Sequence, residues 1–154
     1  MATPEEPPRA IAQDGLVDAL VHHEGIGFVL VRSSTDGAIA MGRSGVHYLD
    51  GGRIDGEDPL APFGPGAADD LRRLDAMPNV GDLVLNSSLD PATDEVAAFE
   101  ELVGSHGGLG GWQTEAFMLY PSDWPEPDSP LVGAPAVHRQ LTRWLEAAGL
   151  RSPV

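Results

Sequence analysis

A short apolar stretch, GFVLVRS at Gly27–Ser33, is the feature that most restricts how the chain can fold. Its β-branched and apolar residues occupy both faces, a pattern typical of a buried strand. The next residues, STDG, supply a turn signal, and Ala38–Gly42 reads as the returning strand of a hairpin. Two further short strands, Gly45–Leu49 and Gly52–Ile54, flank another turn signal. We therefore expect a small antiparallel meander over Ile26–Asp55.

Helices and further strands are predicted on either side of this meander. Three segments have helical character, with apolar residues spaced along one face: Gln13–His23, Ala67–Asp75 and Ala136–Ala148. The last of these is followed by Gly149, which provides a helix stop. Three other segments have the composition of strands: Asp82–Asn86, Val96–Phe99 and Ala116–Tyr120. This mixture of strands and flanking helices predicts an α/β fold class.

The densest group of candidate site residues is GSHGGLGG, at Gly104–Gly111. Glycine allows positive φ angles and the close approach of another group, and neutral imidazole is the commonest protein metal ligand. The sequence matches neither the P-loop nor the dinucleotide-binding glycine pattern, so we do not expect a phosphate cradle. From the residues alone, two interpretations stay open: a flexible glycine loop with an incidental histidine, and a metal-binding loop around His106.

The charge of the chain excludes some classes of function. It carries 24 acidic and 9 basic residues, which gives a formal net charge of −15. A nucleic-acid-binding surface needs clustered cations, and anionic membranes attract basic segments, so we expect neither partner. The acidic residues either form a solvated surface or include carboxylates that bind a divalent cation. The absence of cysteine excludes disulfides and thiolate metal sites.

The sequence also suggests where the chain resides and how it is divided. Its longest apolar run, Ile26–Val31, has about six residues, whereas a membrane span needs about 20. The first residues, MATPEEPPRA, lack the basic and apolar regions of a secretory signal, so we expect a cytoplasmic chain. We predict a disordered tail at residues 1–12, one domain at 13–149 and a short tail at 150–154.

Three stretches of the chain resemble the C-terminal part of the alkaline phosphatase superfamily: HHEGIGFVLVRS, GVHYLDGGRIDGEDPLAPFGPGAADDLRR and FEELVGSHGGLGGWQTEAFMLYP. The likeness is to type I phosphodiesterase and nucleotide pyrophosphatase-like proteins, in particular bacterial membrane-associated members. It covers nearly all of Leu16–Leu145 and is most specific at GSHGGLGG. In that superfamily, Asp and His residues bind two metal ions, usually zinc, which promote hydrolysis of a phosphate ester or phosphodiester.

The resemblance carries expectations about fold and site. It implies a partial alkaline-phosphatase-like mixed sheet with flanking helices, in which the small meander is included. It also implies that His106 is the final metal ligand, because the family's last ligand is a histidine followed by glycine near the C-terminus. Ser105, Gly107 and Gly108 would then form the loop that supports this ligand.

The sequence departs from the family in the residues that would complete the site. Family members carry a Ser or Thr nucleophile and a paired Asp-His inside an Asp-His-Gly motif, and no Asp-His pair occurs here. A catalytic zinc needs about three protein ligands, so we expect no catalytic residue in this chain and metal binding only with a missing half. We interpret the chain as a C-terminal portion that arises from a split gene, a truncation or a degenerate copy, with an N-terminal half as its partner.

Two other functions stay open. The chain could be a non-catalytic interaction module or a remnant that pairs with an N-terminal half, because an incomplete sheet exposes apolar strand edges. It could also be a small independent enzyme that uses His106 together with Glu100 and Glu101, although no motif supplies a second catalytic group.

The other histidines are predicted not to be metal ligands. His22 and His23 are predicted to lie at the surface, since adjacent helical residues point in different directions. His47 alternates with its neighbours on a predicted strand, so it is expected on the sheet surface. His138 is expected on the solvent side or at the edge of the last helical face. The acidic segment Asp55–Asp58 lacks the EF-hand spacing and is predicted to be a polar turn.

Overall fold

The computed structural model of the chain describes the backbone of residues 10–14 and the whole of residues 15–99 and 108–152. The chain divides into two compact units, residues 1–116 and 117–154. None of the helices in the described ranges combines the length and the apolar character needed to cross a bilayer. The first unit contains α1 (Ala10–Val21), β1 (Ile26–Ser33), β2 (Gly37–Gly42), β3 (Gly45–Tyr48), β4 (Ile54–Gly56), α2 (Ala67–Asp75), β5 (Leu83–Ser87), β6 (Leu89–Asp90) and β7 (Glu95–Val96), with short 3₁₀ helices at Ala61–Phe63 and Gly111–Thr114.

The strands of the first unit form a five-stranded sheet in the order β4-β3-β2-β1-β5. β1 lies between β2 and β5, and its residue Val29 pairs with Met41 on one side and Leu85 on the other. The predicted meander is confirmed, because β1 to β4 follow one another across the sheet. β6 and β7 form a separate two-stranded ladder. The α/β class is confirmed as a fold of helices and strands, and every strand pair between described residues is antiparallel.

Alternate residues of β1 face two apolar layers. Phe28 is fully buried on one face, where its ring lies edge-to-face against Phe63 with centroids 5.1 Å apart. Val29 is fully buried on the opposite face against Val17 and Val21 of α1. Because both faces are covered, β1 is apolar throughout its centre instead of alternating. Burying a side chain such as Phe28 contributes on the order of 1.5–3 kcal/mol.

Most predicted elements are present with small shifts at their ends. α2 has the predicted bounds, whereas α1 spans Ala10–Val21 instead of Gln13–His23. The last turn of α1 closes through a bond from the His23 N–H to the Leu20 carbonyl, so the helix ends before Gly25. The strand predicted at Val96–Phe99 is reduced to the two residues of β7 that pair with β6.

The strand predicted at Ala116–Tyr120 is wrong, because this segment has no regular secondary structure. Phe117 and Leu119 are 87% and 89% exposed, whereas the ring of Tyr120 packs against Trp144 with centroids 4.6 Å apart. A strand requires a neighbouring backbone for its N–H and C=O groups. No described strand pairs with this segment, so its apolar composition did not produce a strand.

The second unit contains α3 (Gly133–Ala147), which packs against aromatic residues of the same unit. Trp144 is 2% exposed, and its indole N–H donates to the carbonyl of Pro125 at 2.9 Å. The predicted stop is confirmed: Gly149 has a φ of 71°, and the N–H groups of Gly149 and the following residue donate to carbonyls of the last helical turn. This is the pattern of a Schellman motif, in which glycine removes the strain of the left-handed conformation.

Candidate functional site

The described end of the glycine–histidine segment is attached to the end of β5 through Asn86. The amide oxygen of Asn86 accepts the backbone N–H of Leu109 at 2.7 Å, and its amide nitrogen donates to the Leu109 carbonyl at 3.2 Å. The amide of Gln113 donates a second bond to the same carbonyl, also at 3.2 Å. We call this arrangement of Asn86, Leu109 and Gln113 the Asn86 clasp. It fixes both backbone polar groups of Leu109 beside the sheet.

The position of Asn86 on β5 explains why the clasp forms. Asn86 pairs with Phe28 of β1, and its side chain is 5% exposed. A buried side-chain amide must find hydrogen-bond partners, and it finds them in Leu109 and in the carbonyl of Ser87, 3.1 Å away. The side chain of Leu109 packs against the apolar cluster that contains Phe28. Apolar packing of its side chain and hydrogen bonds to its backbone therefore both hold Leu109 in place.

Two glycines of the segment are required by their surroundings. Gly110 has a φ of 97°, and a Cβ atom there would lie 2.8 Å from Cδ1 of Phe63. Gly111 has a φ of 60°, and its Cβ would lie 2.5 Å from the carbonyl oxygen of Asp94. Only glycine adopts these angles without strain and leaves room for such close neighbours. The C-terminal half of the segment is thus a closely packed structure, which counts against a loop whose glycines serve only flexibility.

The predicted metal ligand itself, His106, lies outside the described residues, as do Ser105, Gly107 and the acidic pair Glu100 and Glu101. Gly108 is described, and a Cβ there would lie 3.3 Å from Oδ1 of Asn86 and 3.4 Å from Nε2 of Gln113. Gly108 therefore lies directly against the clasp, and its predicted role in supporting the metal ligand stays a prediction.

Within residues 15–99 and 108–152, no group of three or more His, Asp or Glu side chains is arranged to hold a metal ion. A catalytic zinc takes about three protein ligands. The described residues do not by themselves fit such a site, so we derive no catalytic step through a metal ion.

The expectation that the side chain of His47 lies on the sheet surface is wrong. It is 8% exposed, and its Nδ1 lies 2.9 Å from Oδ1 of Asp58. The same carboxylate oxygen accepts the backbone N–H of Leu60 at 2.9 Å. Asp58 is thus more than part of a polar turn, since it joins the irregular segment after β4 to β3. Strand alternation could not reveal this, because it does not tell which face of the sheet the following segment covers.

The other histidines lie where they were predicted. His22, His23 and His138 are exposed. The ring of His22 bonds to the carbonyl of Asp18 at 2.8 Å, and Nδ1 of His23 accepts the backbone N–H of Gly25 at 3.1 Å. These bonds are local and belong to the end of α1, so they do not bring the two rings onto one ligand.

A cleft that the sequence did not indicate opens on the face of the sheet that carries α1. Its volume is about 960 Å³, and its apolar lining includes Val21, Met41 and Leu83. At its rim, Arg32 and Asp75 form an ion pair at 2.8 Å. The hydrogen bond to Asp75 raises the pKa of the Arg32 guanidinium above its ordinary value. The cleft was missed because the segment of β5 reads as a buried strand, whereas β5 lies at the edge of the sheet.

Comparison with known proteins found no matching family model, no similar curated protein and no similar solved structure.

Proposed function

We propose that the chain is the C-terminal portion of an alkaline-phosphatase-like, metal-dependent phosphodiesterase or phosphatase. In this proposal it supplies His106 as one metal ligand, and the nucleophile and the remaining ligands belong to another portion of the enzyme. The substrate would be a phosphate ester or a phosphodiester. The described antiparallel strands would form one part of a larger mixed sheet.

The observation that carries the proposal is the Asn86 clasp. A metal ligand must be held at a fixed position, because coordination tolerates little variation in distance and angle. The clasp fixes the backbone of Leu109 through three hydrogen bonds, and the close contacts of Gly110 and Gly111 fix the residues that follow. An incidental glycine loop has no need of such an attachment.

His106 precedes Leu109 by three residues in the sequence. In this proposal the clasp at the end of β5 supports the ligand, because residues on rigid elements hold their geometry best.

The isolated chain provides the first test. It can be assayed with p-nitrophenyl phosphate and bis-p-nitrophenyl phosphate in the presence of added zinc or manganese. We expect no turnover above the metal-only blank, since one imidazole cannot hold a catalytic zinc. Robust turnover that disappears in His106→Ala would show that the chain is a complete enzyme and would overturn the proposal.

A second candidate function is a non-catalytic interaction module. The observation that favours it is the outer edge of β5, with which no strand among the described residues pairs. The two candidates differ in a measurable way. A polypeptide partner that carries a Ser or Thr nucleophile and an Asp-His-Gly segment supports the split enzyme, whereas a partner without them supports the interaction module.

A further inference from the structure

The two edges of the five-stranded sheet are built differently. β4 has three residues, all exposed, and carries the charged Asp55 at its centre. β5 has five residues, LVLNS, without a charge or a proline. Short strands, charges and prolines are the usual means of preventing an edge from pairing with another chain. The β4 edge is therefore protected against pairing, and the β5 edge is not.

The outer side of β5 offers a row of backbone groups. β5 pairs with β1 through Leu83–Ser87, and in the described part of the chain no strand pairs with its other side. In an antiparallel ladder, alternate residues direct their N–H and C=O groups away from the partner strand. Only another extended backbone matches such a row, so the geometry specifies an extended segment as the occupant and does not fit a helix.

The side chains beside this edge are also suited to such an occupant. Leu85 is 38% exposed on the face of the sheet that carries α1, and Leu83 on the same face lines the cleft described above. A strand added to a sheet edge places every second side chain on one face. Apolar side chains of an added strand would therefore contact Leu85 and reach towards the cleft, which supplies contacts that an edge alone lacks.

The charge of the chain decides between possible occupants. A net charge of −15 makes pairing between two copies unfavourable. Asp18, whose side chain is 76% exposed, adds a carboxylate to the lining of the cleft. Complementary charge favours a partner whose apolar segment is flanked by basic residues.

We propose that the outer edge of β5 binds an extended, apolar segment of a partner chain, flanked by basic residues, by adding it to the sheet as a sixth strand. Backbone hydrogen bonds to Leu83–Leu85, the less buried part of β5, provide the attachment, and contacts with Leu85 and the cleft provide selectivity. This inference does not depend on phosphoesterase activity, because it rests on the sheet edge, the neighbouring cleft and the charge of the chain.

The first test asks whether the edge is free in the isolated chain. Amide hydrogen exchange followed by NMR should show alternation along Leu83–Ser87, with the amides bonded to β1 exchanging on the order of 100-fold more slowly than those that face outwards. Protection of all five amides in the monomer would mean that another part of the chain covers the edge. Protection that appears only in a dimer would identify a second copy as the occupant. Either outcome overturns the proposal.

The second test uses a short synthetic peptide of alternating valine and threonine with an arginine at each end. We expect it to shift and protect the outward amides of Leu83–Ser87 and to leave those of Ile54–Gly56 unchanged. The same peptide with glutamate ends should bind about tenfold more weakly, because its charge has the wrong sign. An N-methylated peptide, which cannot donate backbone hydrogen bonds, should not bind.

A matched pair of variants completes this test. Leu85→Lys places a charge beside the β5 edge, and Ile54→Lys places one on the β4 edge at a similarly exposed position, 38% against 42%. We expect Leu85→Lys to weaken binding about tenfold or more and Ile54→Lys to leave it unchanged. Equal effects of the two variants, or no shift at Leu83–Ser87 at millimolar peptide, would overturn the proposal.

Discussion

Removal of the Asn86 side chain amide should release the glycine segment from the sheet. In Asn86→Ala, the Leu109 N–H loses its acceptor at 2.7 Å, and the Leu109 carbonyl keeps only the bond from Gln113. The substitution also deletes the bond to Ser87 and leaves a small cavity at a position that is 5% exposed. A buried donor left without a partner costs about 1–3 kcal/mol, and the Leu109 N–H is partly buried. The cavity adds to this cost. We expect a loss of stability on the order of 2–4 kcal/mol.

Two measurements check this expectation on the isolated chain. Urea unfolding, followed by NMR signals of the first unit, gives the change in the free energy of unfolding. Hydrogen exchange at the Leu109 amide gives the local effect, and its protection should fall roughly 30-fold to several hundred-fold, since 1.4 kcal/mol corresponds to tenfold. Asn79→Gly is the control, because Asn79 is exposed and has a φ of 66°, which glycine adopts freely.

A small effect of Asn86→Ala would contradict this expectation. If Asn86→Ala changes the free energy of unfolding by less than about 0.5 kcal/mol, a value typical of surface substitutions, the clasp does not stabilise the unit. If the Leu109 amide also keeps its protection, the segment is held by something other than Asn86. The support that the clasp gives to the proposed metal site would then be lost.

Two further predictions concern the glycine segment and the hairpin turn. Gly110→Ala should destabilise the first unit by about 1–3 kcal/mol more than Gly64→Ala. Both positions have a positive φ, but only a Cβ at Gly110 meets the Phe63 ring. Equal losses of stability in urea unfolding would show that the ring moves aside freely. Thr35→Val should raise the pKa of Asp36, which the hydrogen bond from the Thr35 hydroxyl lowers below its ordinary value. A carboxyl with a lowered pKa stabilises the fold above its ordinary pKa and loses that contribution as the pH falls through the lowered value, so the variant should lose less stability on acidification. An NMR titration of the Asp36 carboxyl carbon that gives the same pKa in both proteins would contradict this.

The elements that could be predicted from the sequence are those with strong local signals. The meander follows from an apolar β1 and clear turn residues, and α2 follows from its apolar spacing and acidic first turn. The segment Ala116–Tyr120 has strand composition, but none of the described strands pairs with it. Pairing is a property of the whole fold that composition does not encode.

The contacts that organise the candidate site could not be predicted, because they join residues far apart in sequence. Asn86 and Leu109 are separated by 23 residues, and His47 and Asp58 by 11. Each pair forms because a polar side chain on a strand is buried by a later, irregular segment. The sequence left open whether the glycines of this segment serve flexibility or a close approach, and the contacts of Gly110 show a close approach at that position.

The most direct test of the proposed function is the metal content and activity of the complete enzyme, in which this chain is joined to, or co-expressed with, the polypeptide that carries the Asp-His-Gly segment. His106→Ala would be compared with His138→Ala, since His138 is an exposed histidine of α3. We predict that His106→Ala lowers the zinc bound per molecule and reduces hydrolysis of bis-p-nitrophenyl phosphate by about 100-fold or more, while His138→Ala changes neither. The reason for this magnitude is that mutation of residues that only hydrogen-bond to metal ligands already lowers metal affinity or activity by about 10–100-fold. Unchanged zinc content and activity in His106→Ala would contradict the assignment of His106 as a metal ligand.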